Sequence, residues 1–112
     1  MGERIFLVYV TFPDQATAET TVRTAVERRL AACGNLLPGV RSIYRWKGAV
    51  EAADEVLVFF KTTEGNLPAM RRFILGSHPY EVPEIVATPI VEGNPAYLDW
   101  VRESCEPATG DG

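Results

Sequence analysis

Residues 39–61 read GVRSIYRWKGAVEAADEVLVFFK, a pattern that predicts a long β-hairpin. Two strand-like runs, 39–46 and 49–61, flank Lys47-Gly48, which suits a two-residue turn. At about 3.3 Å a residue the second run spans roughly 40 Å, whereas a domain of this size is about 35 Å across. We therefore expect the hairpin to project from its domain and to pair with a neighbouring subunit. A hairpin that is bulged or broken, for example at residues 52–54, is the alternative.

The segments before the hairpin predict a strand followed by a helix. Residues 5–12, IFLVYVTF, have the composition of a strand, and Pro13 ends it. From residue 18 onward, apolar residues recur with the helical period. Asp14 is a suitable N-cap, and Gly34 suits the C-terminal cap, so we expect this helix to end near Cys33.

The segments after the hairpin predict a helix, a strand and a final helix. Residues 66–75 have an apolar helical stripe, with Asn66 as the expected N-cap and Pro68 in the first turn. Residues 77–84 hold two prolines and should form a rigid, extended loop. Residues 85–91 predict a strand, in which Pro89 favours an edge position or a break. The sequence Asn94-Pro95 is typical of a helix start.

The resulting order, β-α-β-β-α-β-α, predicts the α+β class. Its first six elements are those of the ferredoxin-like split βαβ sandwich, to which this chain adds a long hairpin and a C-terminal helix. Right-handed crossovers place both inter-strand helices on one face of the sheet. We expect one domain over residues 1–106 and a disordered tail over residues 107–112.

The two longest strand-like runs carry apolar side chains on both faces. Phe6, Val8 and Val10 alternate with Ile5, Leu7 and Tyr9 in the first, and residues 56–60 repeat this in the second. A sheet face that is open to water should instead alternate with polar residues. The pattern therefore predicts a homo-oligomer that covers the second face.

Composition and charge exclude several classes of function. The chain has 112 residues, 46% of them hydrophobic and 23% charged, with a net charge of −4. Without a basic patch, nucleic-acid binding is not expected. No apolar run reaches the length of a membrane span, and no signal peptide is recognisable. Cys33 and Cys105 form no disulfide framework, which favours the reducing cytoplasm.

The sequence predicts no enzyme, because it contains no nucleophile elbow, zinc-protease motif or phosphate loop. One polar cluster remains: residues 78–84, HPYEVPE, which hold the sole histidine, His78, together with Tyr80 and Glu84. His78 and Glu84 are suitable ligands for copper or another divalent cation. They are too few for a tight site, so we expect weak binding that is lost when His78 is protonated. A structural loop is the alternative.

Five stretches of the chain are similar to a known family. They are VYVTFPD (8–14), ERRLAACGNLLPGVRSIYRWKG (27–48), EVLVFFKTT (55–63), HPYEVPEI (78–85) and NPAYLDW (94–100). Through them the chain resembles the CutA divalent-cation-tolerance family over nearly its whole length. The resemblance implies a ferredoxin-like homotrimer with hairpins paired across subunits, and a role in tolerance to copper and other divalent cations. It also leaves open a signalling trimer that binds a small molecule or a partner protein between subunits.

The resemblance also implies which residues line a cleft between subunits. Five residues match family positions that line the cleft: Trp46, Glu55, Lys61, Tyr80 and Glu84. Tyr44 lies beside Trp46 near the predicted hairpin tip and is a further candidate. Cys33 is a further candidate without an assigned role. In some bacterial members a thiol and a second histidine complete the copper ligands, but this chain has Val10 and Ser77 at those positions.

Overall fold

The computed structural model describes residues 2–107, which form one sheet with three α-helices. The elements are β1 (Ile5–Phe12), α1 (Gln15–Glu27), β2 (Cys33–Trp46), β3 (Ala49–Thr63), α2 (Leu67–Ser77), β4 (Ile85–Pro89) and α3 (Pro95–Ser104). Within the described residues the strands form an antiparallel sheet in the order β2-β3-β1-β4. The predicted α+β class and element order are confirmed. The predicted tail falls, apart from Pro107, outside the described residues.

The hydrophobic core lies between the sheet and a layer formed by α1 and α2. Val8, Val10 and Phe12 of β1 and Val58 and Phe60 of β3 are fully buried on this side. The helices contribute Ala18, Val22, Ala25, Met70 and Ile74. Both inter-strand helices thus share one sheet face, as right-handed crossovers require.

The opposite side of the sheet, which we call the open face, is also apolar. It carries Tyr9 of β1 and Phe59 of β3, whose rings meet edge to face with centroids 5.3 Å apart. Leu37 of β2 and Val86 of β4 lie on the same side and are 39% and 50% exposed. The final helix covers only one end of this face, where its Val101 packs with Ile5. The predicted apolar character of both faces is confirmed.

The hairpin of β2 and β3 is long and continuous towards its tip. Lys47 and Gly48 form the turn, and both have positive φ angles, 51° and 83°. This is the backbone that a two-residue turn between right-twisted strands requires. The longest dimension of the molecule is 49 Å, beyond the roughly 35 Å expected for a compact domain of this size. The predicted projecting hairpin is confirmed.

The one irregularity in the hairpin lies in β2 and not where a break was considered. Residues 52–54 pair in register with β2, so the alternative of a break there is wrong. The register shifts instead between Leu37 and Val40. Gly39, inside this bulge, has a φ of 79°, a conformation that residues with a Cβ rarely adopt.

The end predicted for the first helix is wrong. The helix ends at Glu27, and Arg29 turns the chain with a φ of 60°. Gly34 already belongs to β2, opposite Phe60. It is required there for space, because a Cβ on Gly34 would lie 2.8 Å from Cγ1 of Val22.

Two further local predictions are corrected, and one is confirmed. Asn66 does not cap α2; its side-chain amide donates to the carbonyl of Arg29 at 3.0 Å and so ties the start of α2 to the end of α1. The fourth strand ends at Pro89, two residues early, although the N–H of Ile90 still donates to the carbonyl of Ile5 at 2.9 Å. Asn94 does cap α3, since its Oδ1 accepts from the N–H of Ala96 at 3.1 Å.

Candidate functional site

The loop between α2 and β4 begins at His78, whose ring is buried. His78 is 9% exposed as a residue, and its ring stacks on Phe12 with centroids 4.7 Å apart. The N–H of His78 donates to the carbonyl of Ile74 and closes α2. His78 is therefore held by the core end of β1 and by the helix before it.

Both ring nitrogens of His78 have backbone partners. Nε2 lies 2.7 Å from the carbonyl oxygen of Thr11, and Nδ1 lies 3.1 Å from the backbone nitrogen of Tyr80. A carbonyl can only accept and an N–H can only donate, so the ring is neutral, with its proton on Nε2. Its one free lone pair, on Nδ1, accepts from Tyr80.

Tyr80 joins this loop to the hairpin strand β3. Its hydroxyl donates to Oε2 of Glu55 at 2.6 Å, and Glu55 is only 8% exposed. Burial raises the pKa of Tyr80 well above its usual value, and the hydrogen bond and the charge of Glu55 raise it further. Smaller contributions to the raised pKa of Tyr80 come from the ionisable groups of Tyr44 and Asp14.

The predicted metal ligands do not form a ready metal site. Glu84 is exposed, and neither nitrogen of His78 is free. Within residues 2–107 no group of three or more His, Cys, Asp or Glu side chains is placed to hold a metal ion. Two protein ligands, one of them engaged, fall short of the coordination that copper or zinc needs for tight binding.

Lys61 and Cys33 are neighbours at the other end of β3. They are register partners in the β2–β3 ladder, and Nζ of Lys61 donates to Oδ1 of Asn35 at 2.6 Å. Sγ of Cys33 lies 3.5 Å from the hydroxyl of Tyr97 on α3. This hydrogen bond, together with burial, raises the pKa of Tyr97 to about 12.

Trp46 and Tyr44 extend along the hairpin and are 38% and 41% exposed. The ammonium group of Lys47 lies 5.6 Å from the centre of the Trp46 ring. Trp46 is thus part of the projecting tip. Glu55, His78 and Tyr80 are instead brought together at the end of β1, where the hairpin leaves the rest of the sheet. Sequence reasoning missed Thr11, Asn35 and Tyr97, whose contacts depend on strand register and helix packing.

The family model described as CutA1 divalent ion tolerance protein matches residues 6–104. The chain belongs to the CutA1 family. A CutA protein of Thermus thermophilus is 49% identical over 98 residues, which cover 88% of this chain and 95% of that protein. Mouse protein CutA is 45% identical over 104 residues, 93% of this chain but only 59% of the mouse protein.

Solved CutA1 structures have the same fold. The structure from Thermus thermophilus superposes with a TM-score of 0.89 at 47% identity, covering 91% of this chain and 99% of that one. The structure of CutA1 from Oryza sativa gives a TM-score of 0.91 at 36% identity, covering 95% and 97%. The resemblance to the CutA family is confirmed.

Val10 and Ser77, where the resemblance led us to look for further copper ligands, have structural roles here. Val10 is fully buried in the core. The hydroxyl of Ser77 donates to the carbonyl of Phe73 at 2.9 Å in the last turn of α2. Neither side chain supplies a ligand that would compensate for the engaged nitrogens of His78.

Proposed function

We propose that this CutA1 protein contributes to tolerance of divalent cations as a homotrimer, with the open face and hairpin of each subunit covered by its neighbours. Family membership supports the tolerance function. The observation that carries the assembly is the uncovered apolar surface. Ile43 and Val50, on the two strands of the hairpin, are 71% and 65% exposed and lie on the side of β3 that carries Val58; the open face, on the other side, is a second exposed apolar surface. Apolar surfaces of this extent are typical of interaction sites.

Light scattering coupled to gel filtration tests the assembly. We expect a mass of about three times the 12.4 kDa of the chain. In Ile43→Glu a charge would be buried at the proposed contact, so we expect loss of the trimer. The matched control is Leu75→Glu, which alters a 54% exposed residue that lies on α2 and not on the hairpin. A monomeric wild type at micromolar concentration would contradict the proposal.

Copper binding is a separate prediction. The sequence predicts His78 and Glu84 as ligands, but both ring nitrogens of His78 are engaged. We therefore expect a divalent cation such as Cu²⁺ to bind weakly at most, and His78→Ala to leave this binding unchanged. Calorimetric titration of Cu²⁺ into wild type, His78→Ala and Glu84→Gln measures this. Coinciding isotherms for all three would show that these residues are not the ligands, without affecting the proposal of a tolerance trimer.

A signalling trimer that binds a small molecule or a partner protein is the second candidate function. The ammonium group of Lys61 favours this second function. Within residues 2–107 its only acceptor is the neutral side-chain amide of Asn35, so its positive charge is not paired with a carboxylate there. Native mass spectrometry of the purified trimer would detect a bound small molecule. Retention of that molecule in wild type but not in Lys61→Met would favour this function.

We place the function in the cytoplasm, because Cys33 and Cys105 are free thiols, which suits a reducing compartment. None of the helices in residues 2–107 is long and apolar enough to cross a membrane. The role we propose is one of binding and assembly and not of catalysis.

A further inference from the structure

We propose that His78 is a positioning residue, which fixes the loop of residues 78–84 and holds Tyr80 against Glu55, and that it is not a metal ligand. This proposal goes beyond the tolerance function and the trimer, and its failure would not affect either of them. It rests on the contacts of three buried or partly buried side chains, taken one at a time.

The first contact ties the loop to the end of β1. The β1–β4 ladder begins at Val10↔Ile85, so β4 does not reach Thr11. Thr11 is 8% exposed, and a buried carbonyl without a partner is costly. The Nε2–H of His78 donates to this carbonyl and thereby continues the edge of the sheet beyond the last strand pair.

The second contact orders the loop itself. Nδ1 accepts from the N–H of Tyr80, two residues on, so the ring closes a tight turn around Pro79. The rings of His78 and Tyr80 lie 4.8 Å apart, centroid to centroid. A neutral imidazole has a single free lone pair. Coordination of a cation by Nδ1 would remove the acceptor for Tyr80, and coordination by Nε2 would remove the donor to Thr11.

The third contact connects the loop to strand β3 of the hairpin. The hydroxyl of Tyr80 donates to Glu55, a carboxylate whose burial is tolerated only with such a partner. The chain of contacts therefore runs from β1 through His78 and Tyr80 to β3. In residues 2–107 no buried side-chain nitrogen or oxygen lacks a hydrogen-bond partner, so the cluster is satisfied by protein groups alone.

Nitrogen NMR of the wild-type protein tests the assignment directly, because His78 is the sole histidine and its signals are unambiguous. Long-range proton–nitrogen spectra should show a neutral ring with the proton on Nε2. Addition of Zn²⁺, a diamagnetic probe, at stoichiometric and tenfold excess should leave both ring-nitrogen shifts unchanged. A Zn²⁺-induced shift of either nitrogen would overturn the proposal.

Variants test the positioning role by hydrogen exchange at the Tyr80 amide. In His78→Phe the stacking on Phe12 is kept but both hydrogen bonds are lost, so exchange should be about tenfold faster or more. His78→Gln, whose amide can still donate to Thr11, should recover part of the protection. The matched control is Ser77→Ala, which should leave this amide unchanged. Unchanged exchange in His78→Phe would refute the positioning role. If His78→Phe does not fold, equal exchange of the Tyr80 amide in His78→Gln and Ser77→Ala would refute it instead.

Discussion

At the scale of single residues, the pair of Tyr80 and Glu55 determines how the loop responds to alkali. Burial and the carboxylate of Glu55 raise the pKa of Tyr80 above its usual value near 10. A group whose pKa is higher in the folded state binds more protons folded than unfolded. Its stabilising effect is therefore present below about pH 10 and lost as the pH rises towards the raised pKa.

We expect Tyr80→Phe to remove this part of the alkaline destabilisation. The free energy of unfolding of wild type should fall between about pH 9 and about pH 11 by more than that of the variant, because only wild type has to ionise a phenol beside a carboxylate. Urea denaturation at both pH values measures the difference. Tyr9→Phe is the control, since Tyr9 lies on the open face against Phe59 and away from Glu55 and Tyr80. Parallel pH dependence of wild type and Tyr80→Phe would contradict the prediction.

At the scale of elements, the packing of α1 on β2 depends on the missing side chain of Gly34. Val22 of α1 fills the space above this strand residue, and Phe60 of β3 lies beside it. A Cβ at Gly34 would approach Cγ1 and Cγ2 of Val22 to 2.8 and 3.1 Å. Real Cβ contacts of this kind are avoided, so the helix or the strand would have to move.

Gly34→Ala should therefore destabilise the protein by about 1–3 kcal/mol, the usual cost of overpacking a core. Chemical denaturation measures it. The additional change Val22→Ala should relieve the clash and recover part of that loss. Gly76→Ala is the matched control, because nothing lies within 4 Å of its Cβ position and alanine favours the helix it belongs to. Equal stability of Gly34→Ala and wild type would show that α1 adapts without cost.

At the scale of the whole molecule, the elongated shape of the chain favours the proposed assembly. Its radius of gyration of 15.0 Å exceeds the roughly 13 Å of a compact domain of this length. The excess comes from the hairpin, whose tip carries Trp46. A two-stranded ribbon is marginally stable in water by itself, so in the proposed trimer we expect the hairpin to gain stability from contact with a neighbour.

Trp46→Ala should weaken the trimer by on the order of 3 kcal/mol if the indole is a central anchor of the subunit contact. Sedimentation over a range of concentrations gives the dissociation constants. Trp100→Ala is the control, since Trp100 has a similar exposure of 43% but lies on α3 against Tyr97. An unchanged dissociation constant for Trp46→Ala would place the tip outside the contact.

Much of the fold was predictable because it depends on short-range patterns. The strand periodicity of residues 5–12, the turn chemistry of Lys47-Gly48 and the cap of Asn94 each act within a few residues. The wrong predictions concern residues whose chemistry suits two different roles. Gly34 and Asn66 both have the chemistry of helix caps, and packing against another element decided each of them otherwise.

The sequence alone determined the class of fold, the projecting hairpin and the apolar second face, since these follow from side-chain alternation along each strand. It also drew attention to the loop that begins at His78. Only the tertiary structure decided what this histidine does, because its ring meets the carbonyl of Thr11, which is 67 residues away in the chain. Likewise Tyr80 and Glu55 are 25 residues apart and meet only through the arrangement of β3 and the loop. Such contacts are set by strand register and core packing, which no local pattern specifies.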